Sequence, residues 1–175
     1  HQIKNATLAL TACVTLSNKF PIKKTQIIKG INATKWPGRG QIISNEPLIV
    51  FDVAHNKKSV EKYIDLIQKI HKNGRKILLI ALQKRKNITD CIQKIGNTFD
   101  IIICTKIKSR NPMALYQMKE MFKPYREKTF FFNLSNHAIE HAKEQINITD
   151  SLSIIGTHYW GPTINKYFKI SFNKL

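Results

Sequence analysis

Apolar positions along this chain change their period partway. Near the start, Ile3, Ala6, Leu10, Cys13 and Val14 recur at intervals close to three and four, which predicts a helix over 2–16. Pro21 interrupts the pattern, and a short second helix is expected over 25–31. From residue 40 onward short apolar runs take over, and 40–44, 48–52, 76–82, 101–105, 129–132 and 152–155 read as strands. Helical patterns alternate with them over 59–72, 88–96, 113–122, 136–145 and 160–168. The later runs are continuously apolar, as parallel strands covered on both faces require. The expected class is α/β: a Rossmann-like, mostly parallel sheet flanked by helices, with an N-terminal helical appendage. Residues 1–35 are the expected appendage and 36–175 the expected α/β domain.

A chain of 175 residues can bury one such core. No apolar run approaches a membrane span, and no signal-peptide pattern occurs. Cys13, Cys91 and Cys104 are far apart without metal spacing, and read as small core residues in a reducing compartment. The sequence enters a helical pattern immediately at His1, so a piece of a longer protein is expected. Net charge is +18, which invites a nucleic-acid reading. However, only five of the 29 basic residues are Arg, the type suited to bidentate phosphate and base contacts. The rest are Lys scattered among abundant Ile and Asn, so nucleic acid is not the expected partner.

Candidate chemistry concentrates in two places. Trp36-Pro37-Gly38-Arg39 forms a turn signal before the 40–44 strand, and the 48–52 strand ends in Asp52-Val53-Ala54-His55-Asn56 at the head of a helical pattern. A strand that delivers polar side chains to a helix start is a common way to hold a nucleotide or an anion. Each residue also has an ordinary explanation: Asp52 as a helix cap, His55 as a solvated loop residue, Asn56 as a turn former.

Together with His1-Gln2-x-x-Asn5-Ala6, these motifs resemble the carboxyl-terminal part of the folylpolyglutamate synthase/dihydrofolate synthase family. That family lies in the Mur ligase superfamily of ATP-dependent amide-forming enzymes. The resemblance implies that 1–35 is the last helix of a central ATPase domain plus a linker. It implies adenine contact for Asn5, phosphate or ribose contact for Arg39 and ribose contact for Asp52. His55 would lie by the nucleotide and Asn56 by the incoming amino acid. Val53 stands where the family usually has Gly, which bears on the tight turn. Arg85-Lys86-Asn87 matches an Asp-Lys-Asp segment with both acids gone, and Lys86 would hold the amino-acid carboxylate. Gly156-Thr157-His158-Tyr159 matches Gly-Ser-x-Tyr, with Thr157 as a substrate-carboxylate contact or a helix cap.

The implied cofactors are ATP and Mg²⁺, with the metal held mainly by the central domain. The implied partners are folate or dihydropteroate, L-glutamate and that ATPase domain, in a cytoplasmic monomer. No G-x-x-x-x-G-K-[ST] phosphate loop occurs in these 175 residues, so the chain alone is not expected to turn over. A Mur-type ligase acting on a peptidoglycan precursor is the second reading, and a basic nucleic-acid-binding α/β module the third. His137-x-x-Glu140-His141 also matches a zinc-peptidase pattern, but two surface histidines on a Lys-rich helix are expected there, with no metal ligands assigned.

Overall fold

The structure, a computed structural model, describes residues 2–34 and 36–170. His1, which opens the first motif, lies outside the described residues. The chain divides into two units, His1–Trp36 and Pro37–Leu175.

In the first unit α1 (Gln2–Leu16) packs against α2 (Lys24–Ala33). Thr7, Thr11 and Thr15 each donate a side-chain hydrogen bond to the carbonyl four residues earlier, at 2.9 Å, a common way for Thr to satisfy its hydroxyl within a helix. Ile3, Leu8 and Val14 are exposed, and Ile27 is the one buried side chain among those described in this unit. Cys13 is half-exposed rather than part of a core, because this helix pair is too small to enclose one.

The second unit is built on six strands: β1 (Gln41–Asn45), β2 (Leu48–Asp52), β3 (Lys76–Ile80), β4 (Ile101–Thr105), β5 (Thr129–Phe132) and β6 (Ser151–Ile155). Their order across the sheet is β1-β2-β6-β3-β4-β5. All neighbours run parallel except β1 and β2, which form an antiparallel hairpin through the cis Glu46-Pro47 turn. A two-residue connection admits no crossover helix, so antiparallel pairing is the geometry available there. The mostly parallel α/β class read from the sequence is the observed one.

Helices follow the strands: α3 (Lys57–Ile70), α4 (Ile92–Thr98), α5 (Leu115–Met121), α6 (Ser135–Gln145) and α7 (Gly161–Phe168). Val60, Tyr63, Ile64 and Ile67 of α3 are buried at helical spacing, and with Ile92, Ile95 and Met118 they cover one face of the sheet. Ala138, Ile139 and Ala142 of α6, with Trp160 and Ile164, cover the other. Cys91 and Cys104 are buried in the first of these layers, as their apolar surroundings predict.

Candidate functional site

Parallel strands place their carboxyl ends on one rim, and the residues following β2, β6, β3 and β4 all gather there. The chain leaves β2 for α3 on one face, whereas it leaves the adjacent β6 for Trp160 and α7 on the other. Neighbouring strands that send their helices to opposite faces open a crevice at their carboxyl ends, the usual ligand position in such sheets. Asp52 and Ile155 are register partners at the ends of β2 and β6, which puts Asp52 at that crevice.

The Pro-Gly-Arg turn is stitched to the end of β2. Gly38 (φ 71°) and Gly40 (φ 59°) adopt left-handed backbone, and Arg39 sits exposed between them. The Val53 N–H donates to the Gly38 carbonyl at 2.9 Å, and the Gly38 N–H donates to Gln41 Oε1 at 2.9 Å. Asp52 completes the clasp, with Oδ2 accepting from the Gly40 N–H and Oδ1 from the Ala54 N–H, both at 2.7 Å. Val53 itself needs no left-handed backbone, since Lys169 is the one non-glycine with positive φ among the described residues. A β-branched residue is therefore accommodated where the family has Gly.

Asp52 is buried, and that burial pushes its carboxyl above the ordinary value near 3.8. The two backbone N–H groups, and then the charges of Arg39 and His55, oppose the rise. Each carboxylate oxygen accepts one backbone bond and keeps a further lone pair for a hydroxyl donor. Arg39 takes part in none of the ion pairs found among the described residues. Its guanidinium carries five donors in a planar fork.

His55 Nδ1 lies 2.8 Å from the Val53 carbonyl. A carbonyl only accepts, so a neutral ring carries its proton on Nδ1 and leaves Nε2 as an acceptor. Asn56 is the N-cap of α3: its Oδ1 accepts from the Ser59 N–H at 3.0 Å, while Ser59 Oγ accepts from the backbone N–H groups of His55 and Asn56 at 3.1 Å. The positive end of the helix dipole thereby joins the rim.

After β6, Gly156 takes φ 109°, and a Cβ there would meet the Ala81 carbonyl oxygen at 2.1 Å. Close approach of two strand ends thus requires glycine. Trp160 locks the same turn by donating its indole N–H to the Ile155 carbonyl at 2.9 Å. Thr157 is buried and accepts from the Tyr159 N–H at 3.3 Å, so the capping role is the one observed for its side chain. Its O–H remains a donor. After β3, Lys86 is half-buried in a turn closed by its own N–H to the Gln83 carbonyl at 2.9 Å. The neighbouring Asn87 is occupied with the Thr89 N–H and hydroxyl.

Six of the seven residues singled out in the sequence (Arg39, Asp52, His55, Asn56, Lys86 and Thr157) therefore follow or precede strands at one rim. Asn5 belongs to the other unit and is exposed on α1. Gln41, Ser59 and Trp160 escaped the sequence reading although they hold the rim in shape. Ser59, three residues after Asn56, carried a capping-box signal that could have been read.

The zinc pattern behaves differently from expectation in one respect. His137 is exposed, but His141 is half-buried, its ring centroid 4.8 Å from that of Phe130 and 5.1 Å from that of Phe132. The exposed edge strand β5 supplies those rings, so His141 is an aromatic-packed residue rather than a fully solvated one. Among the described residues no cluster of three or more His, Cys, Asp or Glu side chains could hold a metal ion. No helix among them is long and apolar enough to cross a membrane.

Comparison with known proteins places these motifs in context. Residues 38–158 match the family described as Mur ligase, glutamate ligase domain. The chain is 30% identical over 115 residues to a dihydrofolate synthase/folylpolyglutamate synthase of Buchnera aphidicola subsp. Acyrthosiphon pisum, covering 65% of this chain and 28% of that protein. It is 28% identical over 116 residues to the Escherichia coli K12 protein of the same description, covering 66% of this chain and 27% of that protein. The fold superposes on E. coli FolC in complex with DHPP and ADP with a TM-score of 0.72 at 23% identity, over 83% of this chain and 34% of that one. The matched segment thus spans less than a third of the curated relatives' own length.

Proposed function

This chain belongs to the Mur ligase family through its glutamate ligase domain, and from that membership we propose that it is the closing domain of an ATP-dependent ligase adding L-glutamate to folate or dihydropteroate. The observation that carries this reading is the clasp of Arg39 and Asp52 at the β2–β6 crevice. It sets an unpaired guanidinium beside a carboxylate with spare acceptor sites. That donor and acceptor set fits a nucleotide, with Arg39 toward phosphate oxygens and Asp52 toward ribose hydroxyls. His55 would complete the nucleotide side, and Asn56, Lys86 and Thr157 the side taking the amino-acid substrate. For Asn5, exposed on α1, an adenine contact is proposed separately.

In this reading residues 1–35 close a central ATPase domain and 36–175 form the glutamate-ligase domain of a cytoplasmic monomeric enzyme. The exposed Ile3, Leu10 and Val14 support it, because they fall on one face of α1 and an apolar helix face of this kind needs a covering partner. The acceptor carboxylate would be phosphorylated by ATP, and the glutamate amine would displace phosphate from the acyl phosphate. What this chain contributes is positioning and charge: Arg39 neutralises phosphate charge, and Lys86 orients the glutamate carboxylate so that its amine faces the acyl carbon. The described residues do not fit Mg²⁺ as a site of their own, so no step is assigned to a metal here.

The dihydrofolate synthase/folylpolyglutamate synthases match 65% and 66% of this chain, against 47% for a Streptococcus mutans UDP-N-acetylmuramoyl-L-alanyl-D-glutamate–L-lysine ligase, which favours the folate branch. The test is steady-state kinetics on a protein that joins this chain to its ATPase domain. Arg39→Ala removes a charge-assisted contact of about 1.5–3 kcal/mol, roughly ten- to a hundredfold in kcat/KM for ATP. Lys86→Ala raises the KM for glutamate and spares that for ATP. The 175-residue chain by itself ligates nothing. An Arg39→Ala enzyme with wild-type kinetics, or turnover by the isolated chain, overturns the reading.

A further inference from the structure

The two edges of the sheet are built differently. At one edge the register of β1 slips between Ile42 and Ser44, an irregularity of the kind that blunts an edge against pairing with another chain. At the other edge β5 reads Thr129-Phe130-Phe131-Phe132, with no charge, no proline and an unbroken register. It pairs with β4 alone, and no other backbone hydrogen bond involves residues 130–132 among the described residues. A strand with one neighbour turns a row of N–H and C=O groups outward, so this edge is open to a further strand.

The open edge borders a groove of about 420 Å³ whose lining includes Thr129, Phe130 and Phe131. Successive side chains of a strand point to opposite faces, so a groove touching all three runs along the edge of β5 rather than over one face of the sheet. α5 and the turn that follows it supply the far wall, with Lys119, Glu120, Lys123 and Arg126, all exposed. Three cations thus stand against one acid. None of the three joins an ion pair among the described residues, and Lys119 Nζ lies 5.9 Å from the centroid of the Phe131 ring. Lys128, by contrast, is turned to the Gly96 carbonyl, which it reaches at 2.6 Å. On the opposite face of the strand Phe130 and Phe132 lean on His141, and Phe130 stays 40% exposed.

An open strand edge beside a helix is the geometry in which an extended peptide adds itself to a sheet, through main-chain bonds on one side and side-chain contacts on both faces. Charge decides the kind of peptide. A second copy of this chain would bring the same three cations, and a net charge of +18, against their own likeness. An acidic segment is drawn in by both. The pleat then sets the spacing, because residues of an added strand on the α5 side alternate with those on the His141 side. The first set meets Lys119, Lys123 and Arg126, and the second meets Phe130 and Phe132. We propose that β5 docks an extended segment of a partner protein in which acidic and apolar residues alternate, added as a seventh strand. β5 stands four strand spacings from β2, roughly 19 Å, so the dock leaves the Asp52 clasp free and does not rest on the ligase reading.

The test is a nuclear magnetic resonance titration of the isotope-labelled 175-residue chain with a blocked hexapeptide of alternating Glu and Val. The amide signals of residues 130–132 should move, and the affinity should fall as salt is raised. The same peptide with every backbone nitrogen methylated keeps its charge and side chains but has no N–H to donate, and should bind at least tenfold more weakly. That comparison is made on the parent chain and needs no variant to fold. Lys123→Glu/Arg126→Glu should weaken the unmethylated peptide roughly tenfold, a few-fold for each exposed charge. Lys62→Glu/Lys69→Glu on α3 changes the net charge equally and should leave binding within twofold, with circular dichroism checking that both variants are folded. Equal affinity for the two peptides overturns strand addition and makes the groove a simple anion-attracting surface. Equal losses in the two variants, or signals that move elsewhere while those of 130–132 stay fixed, overturn the location. A chain that sediments as a dimer and whose 130–132 signals ignore the peptide assigns the edge to a second copy and overturns the proposal as well.

Discussion

The carboxylate of Asp52 has a structural task beside the chemical one proposed for it. It accepts backbone N–H groups from Gly40 and Ala54, which makes it a structural clasp as well as a nucleotide ligand candidate. Its strand-end placement is legible from the run 48–52, but the bond to Gly40, twelve residues away, is not, because it depends on the hairpin closing. This changes what Asp52→Asn should do. An amide retains one acceptor and presents a donor to the second N–H, so the variant should lose about 1–3 kcal/mol of stability, read in urea unfolding, in addition to any effect on ATP. Gly156 is a sharper case. With φ at 109° and a carbonyl oxygen 2.1 Å from any added Cβ, Gly156→Ala should cost about 1–3 kcal/mol through backbone strain alone, and more through the clash with Ala81. A Gly156→Ala chain with an unchanged unfolding midpoint would show that the β3–β6 ends separate freely.

At the level of elements, period and punctuation carried most of the information. The 3.6-residue recurrence of Val60, Tyr63, Ile64 and Ile67 marks α3 because one stripe must face the sheet, and the unbroken apolar runs mark β3, β4 and β6 because both of their faces are covered. The antiparallel β1 and the insertion of β6 between β2 and β3 were not legible, since strand order depends on long-range pairing that no local pattern encodes. The start of α3 is where local chemistry and function meet. Asn56 was assigned to substrate by resemblance, yet its side chain caps the helix through Ser59. The two roles separate by substitution. Asn56→Ala should cost about 1 kcal/mol in unfolding free energy, whereas Asn56→Asp, a comparably good cap, should restore stability. If Asn56→Asp is stable but raises the KM for glutamate in the joined enzyme, through repulsion of its carboxylate, the residue serves both purposes. Equal stability of Asn56→Ala and the parent chain would remove the cap from the account.

Across the α/β unit, the rim proposed for ligands and the rim tied by a part-buried ion pair are different places. The opposite, amino-terminal rim is tied by Arg75 and Asp150: Nη2 and Nε reach Oδ2 at 2.8 and 3.2 Å, and Oδ1 accepts the Arg75 N–H at 2.9 Å. Nη2 also donates to the Gln145 carbonyl. Burial alone would raise the Asp150 carboxyl, but the Arg75 side chain and the N–H groups of Asn147 and Arg75 outweigh it and hold it below 3.8. Beside this knot His71 is buried, and burial followed by the charge of Lys76 lowers its value below 6.5. Partners separated by 75 residues leave no trace in sequence pattern, so this network was invisible there. Its two shifted groups both favour the folded state at higher pH. A histidine whose folded value lies below its unfolded one binds protons more readily when unfolded, so its stabilisation is present above about 6.5 and is lost as pH falls through the folded value. Asp150 behaves in the same sense lower down, its contribution being full above 3.8 and lost below it. Protonation of the six histidines would also add charge to a chain already at +18, and general self-repulsion would lower stability too. The variant His71→Gln distinguishes the two causes, because it removes the one buried ring among those described and leaves the rest of the chain's charge in place. The expected result is a melting temperature that falls between about pH 7 and about pH 5 in the parent chain and falls less in His71→Gln. Identical slopes in the two chains would mean that acid sensitivity comes from net charge, and that the buried ring at the structural rim does not contribute to it.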